Sequence, residues 1–202
     1  KEEGVNFILD AVAEVAGGRD VLVWQTGGEF VSLDDARQLT PLVAAANWHP
    51  LATWAARLTL GTGDESALLI DFGSTTCDII PLMRGLPVPT GRTDIERLRS
   101  GELVYTGVRR TPIVALGPTV GYRDHPTPLA AELFATMLDV YLLLGEIAED
   151  PADTNTANGR PATIECAWDR IARGICWDRN ECTLEEARDI ADFLRDQQRH
   201  LI

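Results

Sequence analysis

The chain has 202 residues and is 45% apolar, which is enough to bury a sizeable core in one domain or in two small ones. Its 31 acidic and 18 basic residues give a formal net charge of -13, which argues against a nucleic-acid backbone or an anionic membrane surface as partner. It contains neither an apolar run long enough for a membrane span nor a signal-peptide pattern. We therefore expect a soluble, cytoplasmic protein with no nucleic-acid and no membrane partner.

The first part of the chain predicts helices next to a short pair of strands. Apolar residues at helical spacing predict a helix over residues 3–16, and the strand VLVWQT follows at 21–26 with a glycine turn and a return strand. Pro41 interrupts a second helical region, and residues 43–60 predict a helix rich in small side chains. The sequence starts without Met and already in helical spacing, so we expect that an N-terminal part is missing.

The central part predicts a β-hairpin, a charged helix and a strand. GTGDES (61–66) is typical of a surface turn, and LLIDFGSTTCDIIPL (68–82) predicts a buried strand, a polar turn and a second strand. A short helix is expected over 94–100 and a strand over 103–108.

The last part predicts helices separated by polar segments. Residues 118–128 are expected to form a loop, residues 129–145 an apolar helix, and residues 149–161 a solvated linker or a lid. Two final helices are predicted over 162–176 and 183–200.

The four cysteines contain no Cys-x-x-Cys pair, which favours reduced thiols over disulfides. A zinc site formed by Cys166, Cys176 and Cys182 remains an alternative to three small residues on helices.

The turn of the predicted hairpin carries an unusual density of polar groups. Backbone N–H groups and hydroxyls around a tight turn at a strand end can hold a phosphate, and the two flanking carboxylates can bind a divalent metal or orient water. An ordinary hairpin with solvated hydroxyls is the alternative. The residues predicted to bind phosphate here are Asp71, Gly73, Ser74, Thr75 and Thr76, and Asp78 is a candidate catalytic residue.

The hairpin resembles the Asp-Gly-Ser/Gly-Thr-Thr/Ser-x-Asp hairpin of the hydantoinase and oxoprolinase group, within the actin-like ATPase superfamily. Four further blocks are similar to proteins of the tetrahydromethanopterin-linked one-carbon transfer pathway, which include the methanofuran-core synthases. These blocks are KEEGV (1–5), VAAANW (43–48), GRTDIERLRSGELVYTGVRRTP (91–112) and FATMLDVYLLLG (134–145).

This resemblance implies an α/β, ribonuclease-H-like fold of the actin-like ATPase and hydantoinase A-like type. Residues 1–66 would be the remainder of an N-terminal subdomain, and residues 67–202 a second subdomain with a helical C-terminus. A first phosphate hairpin of the family would precede this chain. Cys77 stands where relatives often have Thr, so a hydroxyl contact there is in doubt.

The resemblance also implies a transferase that joins an aminomethylfuran diphosphate to the phenol of γ-glutamyltyramine and releases diphosphate. Mg²⁺ is the implied cofactor, and small-molecule diphosphate and phenolic amine substrates are the implied partners, with the oligomeric state open. Two alternatives remain: an ATP-dependent kinase or hydrolase of the hydantoinase-oxoprolinase or sugar-kinase type, and a non-catalytic subunit of the pathway.

Residues 91–112 are dense in charged and hydroxyl side chains and supply further site candidates. Arg92, Thr93 and Arg97 are predicted to contact the diphosphate, because Arg presents a planar fork to phosphate oxygens. The alternative is a helix cap at Thr93 or Asp94 with a solvated Arg97. Asp71 and Asp94 are the predicted metal ligands.

A carboxylate must take the phenolic proton, and Asp78 or Glu102 could do so if burial raised its pKa. Asn47, Tyr105 and Arg110 are predicted to contact substrate, although a Tyr in an apolar strand is equally typical of a core.

Structural roles are expected for four other side chains. Trp48 and Trp54 are predicted to fill the core and His49 to be structural or solvated. Asp139, on an otherwise apolar helix, requires a buried partner or must face the cleft.

Overall fold

The computed structural model describes residues 1–61, 63 and 65–202. The helices are α1 (Glu2–Ala16), α2 (Leu33–Gln38), α3 (Thr40–Ala44), α4 (Trp48–Ala56), α5 (Asp94–Ser100), α6 (Met137–Leu143), α7 (Ile164–Gly174) and α8 (Leu184–Leu201). The strands are β1 (Leu22–Gln25), β2 (Glu29–Ser32), β3 (Ser66–Phe72), β4 (Cys77–Met83), β5 (Leu86–Pro87), β6 (Leu103–Val104), β7 (Thr119–Tyr122) and β8 (His125–Pro128). This confirms the predicted mixture of helix and sheet. Within the described residues, no helix combines the length and the apolar character that crossing a bilayer requires.

The chain divides into two compact units. Unit 1 comprises residues 1–71 and 78–104, and unit 2 comprises residues 72–77 and 105–202. The predicted boundary between residues 66 and 67 therefore does not coincide with the division. The reason is that β4 pairs with β3, β5 and β6, which keeps the hairpin strands in unit 1 except for Phe72 and Cys77.

Within its described residues, unit 1 contains two sheets and five α-helices. The antiparallel pair β1–β2 lies beside α2 and α3, and α4 packs its buried face on the sheet of β3, β4, β5 and β6 through a small cluster that includes Trp48 and Ile80. Leu69 of β3 joins this cluster, whereas Leu68 and Ile70 are 56% and 53% exposed. Successive side chains of a strand point to opposite faces, so β3 is covered on one face only and the prediction of a buried strand is wrong.

Unit 2 is built on three helices around one continuous apolar core. Every side chain of α6 is buried, and α7 and α8 pack against it. The cap of α6 explains why the predicted helix over 129–145 is too long. The amide of Thr136 donates to Asp139 Oδ2 at 2.9 Å, so the helix begins at Met137, and residues 130–134 form tight turns instead.

Three other predicted elements differ from the structure. The helix over 43–60 is shorter, since α4 spans only Trp48–Ala56, and the strand over 103–108 is limited to β6. The predicted loop over 118–128 is the hairpin β7–β8, because Val120 and Tyr122 alternate into the core while Arg123 and Asp124 adopt positive φ in the turn. The predicted surface turn at 61–66 includes Thr62 and Asp64, which lie outside the described residues.

Candidate functional site

The polar turn of the hairpin, residues 73–76, belongs to unit 2 and presents donor groups. The amide of Gly73 donates to Thr76 O at 2.9 Å, and the hydroxyl oxygens of Ser74 and Thr75 lie 3.4 Å apart. Among the described residues, no acceptor is found for the amides of Ser74, Thr75 and Thr76. Free N–H groups on successive residues, with hydroxyls beside them, are donors of the kind that bind an anion. We call residues 73–76 the phosphate turn.

A second segment, residues 107–110, holds the phosphate turn from behind. The amide of Val108 donates to Gly73 O at 3.0 Å, and the amides of Arg109 and Arg110 donate to Ser74 O at 3.1 and 2.9 Å. Gly107 allows this close approach, since a Cβ there would lie 2.5 Å from Ser74 C. The carbonyls of Gly73, Ser74 and Thr76 are thus occupied, while the amides of Ser74, Thr75 and Thr76 remain available.

Side chains near this segment differ in accessibility. Arg110 is exposed, and Tyr105 is 70% exposed, so the interpretation of Tyr105 as a core residue is wrong. Arg109 forms an ion pair with Asp153 and donates to Asn155 O at 3.3 Å. This ion pair lowers the pKa of Asp153 and attaches the predicted solvated linker to the backbone segment behind the phosphate turn.

In unit 1, Arg97 contacts two other predicted site residues, Asp78 and Glu102. Arg97 Nη1 donates to Asp78 Oδ1 at 2.8 Å, Arg97 Nη2 donates to Glu102 O at 2.9 Å, and the guanidinium carbon lies 4.0 Å from the ring centroid of Trp48. Arg97 is only 1% exposed, so the alternative of a solvated Arg97 is wrong. Its guanidinium is engaged by protein groups and fixes the orientation of the Asp78 carboxylate.

Asp78 has the raised pKa that a general base for the phenol requires. Burial raises its pKa above the ordinary 3.8, and although the ion pair with Arg97 opposes this shift, the negative charges of Asp71 and Asp94 add to it. A carboxylate of this kind accepts a proton more readily than a solvated aspartate does.

Glu102 does not meet the same condition. Burial acts to raise its pKa, but its carboxylate accepts from the amides of Thr90 and Gly91 at 2.5 and 2.8 Å and from Ser100 Oγ at 2.8 Å. These hydrogen bonds hold the pKa below the ordinary value of 4.5. The expectation that burial would raise the pKa of Glu102 is wrong, because the loop before α5 supplies N–H donors that favour the charged carboxylate.

The N-terminus of α5 combines structural and site candidates. Thr93 occupies the N-cap position, and its amide and that of Arg92 donate to Glu96 Oε2, which confirms the helix-cap alternative. Arg92 is exposed, and Asp94 forms an ion pair with Lys1. Within residues 1–61, 63 and 65–202, no group of three or more His, Cys, Asp or Glu side chains is arranged to hold a metal ion.

Around α4, the sequence predictions are correct for two aromatic side chains and wrong for one. Trp48 is buried, Trp54 is 60% exposed, and His49 is buried with Nδ1 accepting from Trp24 Nε1 at 3.2 Å. Burial and the positive charges of Arg92 and Arg97 lower the pKa of His49. Asn47, predicted to contact substrate, is exposed at the start of α4.

The sequence model of the hydantoinase/oxoprolinase family matches residues 2–192 of this chain. The chain belongs to the hydantoinase/oxoprolinase family. This confirms the resemblance carried by the hairpin and places the phosphate turn, Asp78 and Arg97 inside the matched region of the family.

Two relatives of the family carry the same functional name, (4-{4-[2-(gamma-L-glutamylamino)ethyl]phenoxymethyl}furan-2-yl)methanamine synthase. The protein of Methanocaldococcus jannaschii is 34% identical over all 202 residues of this chain, which span 59% of that relative. The protein of Methanococcus vannielii is 37% identical over 128 residues, 63% of this chain and 57% of the relative. The chain thus spans somewhat more than half the length of these two relatives.

Two residues near the phosphate turn, Gly107 and Gln198, were not predicted from the sequence as site residues. Gly107 had no distinguishing local pattern. Gln198 had one: it lies on the apolar face of α8, in helical register with Ala187, Ala191 and Leu194, and it is 1% exposed. A polar side chain on such a face needs buried partners.

Proposed function

We propose that the protein containing this chain is a transferase that forms the aryl ether of a methanofuran-type cofactor precursor. It would join an aminomethylfuran diphosphate to the phenol of γ-glutamyltyramine and release diphosphate. The observation that carries the proposal is the phosphate turn, whose amides of Ser74, Thr75 and Thr76 have no acceptor among the described residues. The name shared by the two relatives, which describes a phenoxymethyl furan amine, supports the same chemistry.

The phosphate turn would bind the diphosphate group of the donor. Its amides and the hydroxyls of Ser74 and Thr75 would stabilise negative charge as the bond between the furan methylene carbon and the diphosphate oxygen breaks, with the electron pair leaving on diphosphate. The exposed Arg110, whose backbone amide donates to Ser74 O, supplies a cationic residue that is hydrogen-bonded to the turn through its main chain.

Asp78 would accept the proton of the phenol. The phenolic oxygen then forms the new bond to the methylene carbon, so that the acceptor loses one proton and the donor loses diphosphate. The raised pKa of Asp78 and the orientation imposed by Arg97 support this role. Arg97 is assigned a positioning role here, and the catalytic role predicted for Glu102 is not supported by its lowered pKa.

Mg²⁺ fits the chemistry of the carboxylates in unit 1. Magnesium is usually bound by one or two carboxylates together with substrate phosphates and water, which agrees with Asp71 and Asp94 as ligands without a third side chain. Bound there, it would supply positive charge that neutralises diphosphate. The ribonuclease-H-like arrangement implied by the resemblance is part of the same proposal, and the family match supports it.

Incubation of the complete protein with Mg²⁺, the aminomethylfuran diphosphate and γ-glutamyltyramine tests the proposal. We expect equimolar amounts of diphosphate and ether product, measured by phosphate detection and mass spectrometry. If no ether forms, or if the protein instead hydrolyses ATP or transfers its γ-phosphate, the proposal is wrong.

A pair of matched substitutions tests the contribution of Arg92. Arg92→Gln should raise the KM for the diphosphate donor by about 10-fold, the usual effect of losing one charge-assisted hydrogen bond. Arg84→Gln removes another exposed arginine of unit 1 and should leave KM unchanged. Equal KM values for both variants would remove Arg92 from the binding site.

A further inference from the structure

Gln198 lies at the centre of a buried hydrogen-bond network in unit 2. Its Nε2 donates to Thr106 Oγ1 at 2.6 Å and to Gly107 O at 3.0 Å, and its Oε1 accepts from the hydroxyl of Tyr141 at 2.7 Å. Both amide hydrogens and the carbonyl are therefore used. Because the carbonyl of Gly107 can only accept, it must face the amide nitrogen of Gln198, which leaves Oε1 toward the hydroxyl of Tyr141.

The residues bound by Gln198 are those that begin the segment behind the phosphate turn. Thr111 closes this segment from its other end, because Thr111 Oγ1 accepts from the amide of Gly107 at 2.9 Å. The next three amides, of Val108, Arg109 and Arg110, hold the carbonyls of Gly73 and Ser74. A continuous path of hydrogen bonds thus runs from the last turns of α8 to the phosphate turn.

This path determines which groups the phosphate turn presents. If residues 107–110 shift, the carbonyl of Ser74 loses two donors and is free to rotate toward the anion position. A carbonyl in place of the amides of Ser74 and Thr75 would repel diphosphate. Buried polar networks of this kind restrict a segment to one arrangement, since each member loses a partner when another moves.

We propose that Gln198 is a positioning residue for diphosphate binding. Its side-chain amide holds residues 106 and 107 in place, and these residues in turn keep the carbonyls of the phosphate turn occupied and its amides available. The inference rests on the proposed function only in the identity of the anion. It assigns to the C-terminal helix a part in a binding site whose other members lie about one hundred residues earlier in the chain.

Three variants of the complete protein test this role. Gln198→Met keeps the length of the side chain and removes the amide, whereas Gln198→Glu keeps the acceptor for Tyr141 and removes both donors. Leu194→Ala, on the same buried face of α8, is the matched control because it weakens packing and leaves the network intact.

Two measurements separate positioning from stability: hydrogen exchange of the amides of residues 108–110 by NMR, and the affinity for inorganic diphosphate by calorimetry. For Gln198→Met and Gln198→Glu we expect about 10-fold faster exchange at these amides and about 10-fold weaker diphosphate binding, the size of one net hydrogen bond. Leu194→Ala should instead accelerate exchange of core amides in α6 and α8 and change the diphosphate affinity by less than about twofold.

The results distinguish this inference from the proposed function. If wild-type protein does not bind diphosphate but Gln198→Met still accelerates exchange selectively at residues 108–110, the positioning role stands and the proposed function fails. Where wild-type protein binds diphosphate, the positioning role is overturned if Gln198→Met leaves either the exchange at residues 108–110 or the diphosphate affinity within twofold of wild type. It is also overturned if Gln198→Met and Leu194→Ala give the same pattern of exchange and affinity.

Discussion

Both units bury an arginine against an aspartate, with nearly the same geometry and with different surroundings. In unit 2, Arg170 Nη2 and Asp139 Oδ1 are 2.7 Å apart, and both side chains are fully buried. In unit 1, Arg97 Nη1 and Asp78 Oδ1 are 2.8 Å apart, and the side chain of Asp78 is 10% exposed. The comparison shows that the same pair of residues can differ in solvent access and in the charges that surround it.

The groups around each aspartate account for the difference. Asp139 also accepts from the amide of Thr136, and Arg170 also donates to Asn158 Oδ1 and Pro161 O. These additional hydrogen-bond partners of the ion pair are neutral protein groups. Burial raises the pKa of both carboxyls, and at Asp78 the negative charges of Asp71 and Asp94 raise it further. A buried pair becomes usable for proton transfer where its acid reaches solvent and like charges oppose its ionisation.

The largest effect on stability is expected in unit 2. Arg170→Met leaves Asp139 buried without its charged partner, so the free energy of unfolding should fall by about 3–5 kcal/mol. Urea denaturation followed by near-UV circular dichroism measures this loss. Arg173→Met, on the same helix, removes a half-exposed partner 3.7 Å from Asp169 and should cost about 0–1 kcal/mol. Equal losses for the two variants would contradict the structural role of the Arg170–Asp139 pair.

Removing the aspartate of the pair in unit 1 should reduce activity more than stability. Asp78→Asn should lower kcat for ether formation by at least about 100-fold, because a general base is lost, while KM for the diphosphate donor stays the same. Its free energy of unfolding should fall by less than that of Asp139→Asn, since Asp78 reaches solvent. A variant Asp78→Asn that unfolds like Asp139→Asn and retains kcat would remove the contrast between the two pairs.

Local patterns in the sequence predicted the phosphate turn and the need for a partner at Asp139. Gly, Ser and Thr between two strands describe a turn whose chemistry depends only on neighbouring residues, and an aspartate on an apolar helix is costly without a partner. The partner itself, Arg170, lies 31 residues away, and Arg97 lies 19 residues from Asp78. No periodicity or spacing connects residues at such separations, so the pairs became visible only in the fold.

The wrong elements have local causes that were present in the sequence. Apolar composition predicted a helix over 129–145, but Thr136 with Asp139 three residues later is a capping pattern that starts the helix at Met137. Prolines predicted a loop over 118–128, although the alternation of Val120 and Tyr122 is typical of a strand. In both segments the positions of individual residues determine the structure, and the average composition does not.

The pH dependence of stability should have opposite signs for Glu102 and Asp78, two buried carboxylates of unit 1. The folded-state pKa of Glu102 lies below its ordinary 4.5, so Glu102 stabilises the fold above that pH and the contribution is lost as pH falls through the folded pKa. The folded-state pKa of Asp78 lies above its ordinary 3.8, so its contribution is present below that pH and is lost as pH rises through the folded pKa.

Urea denaturation between pH 3 and pH 7 checks these signs with Glu102→Gln and Asp78→Asn. At pH 7, Glu102→Gln should cost about 1–2 kcal/mol, because one amide oxygen cannot accept all three hydrogen bonds from Thr90, Gly91 and Ser100. The cost should shrink toward pH 3, whereas the difference between wild type and Asp78→Asn should move in the opposite direction. Parallel pH profiles would mean that both carboxylates are held by the same kind of environment, and the separation of a structural acid from a chemically usable one within unit 1 would fail.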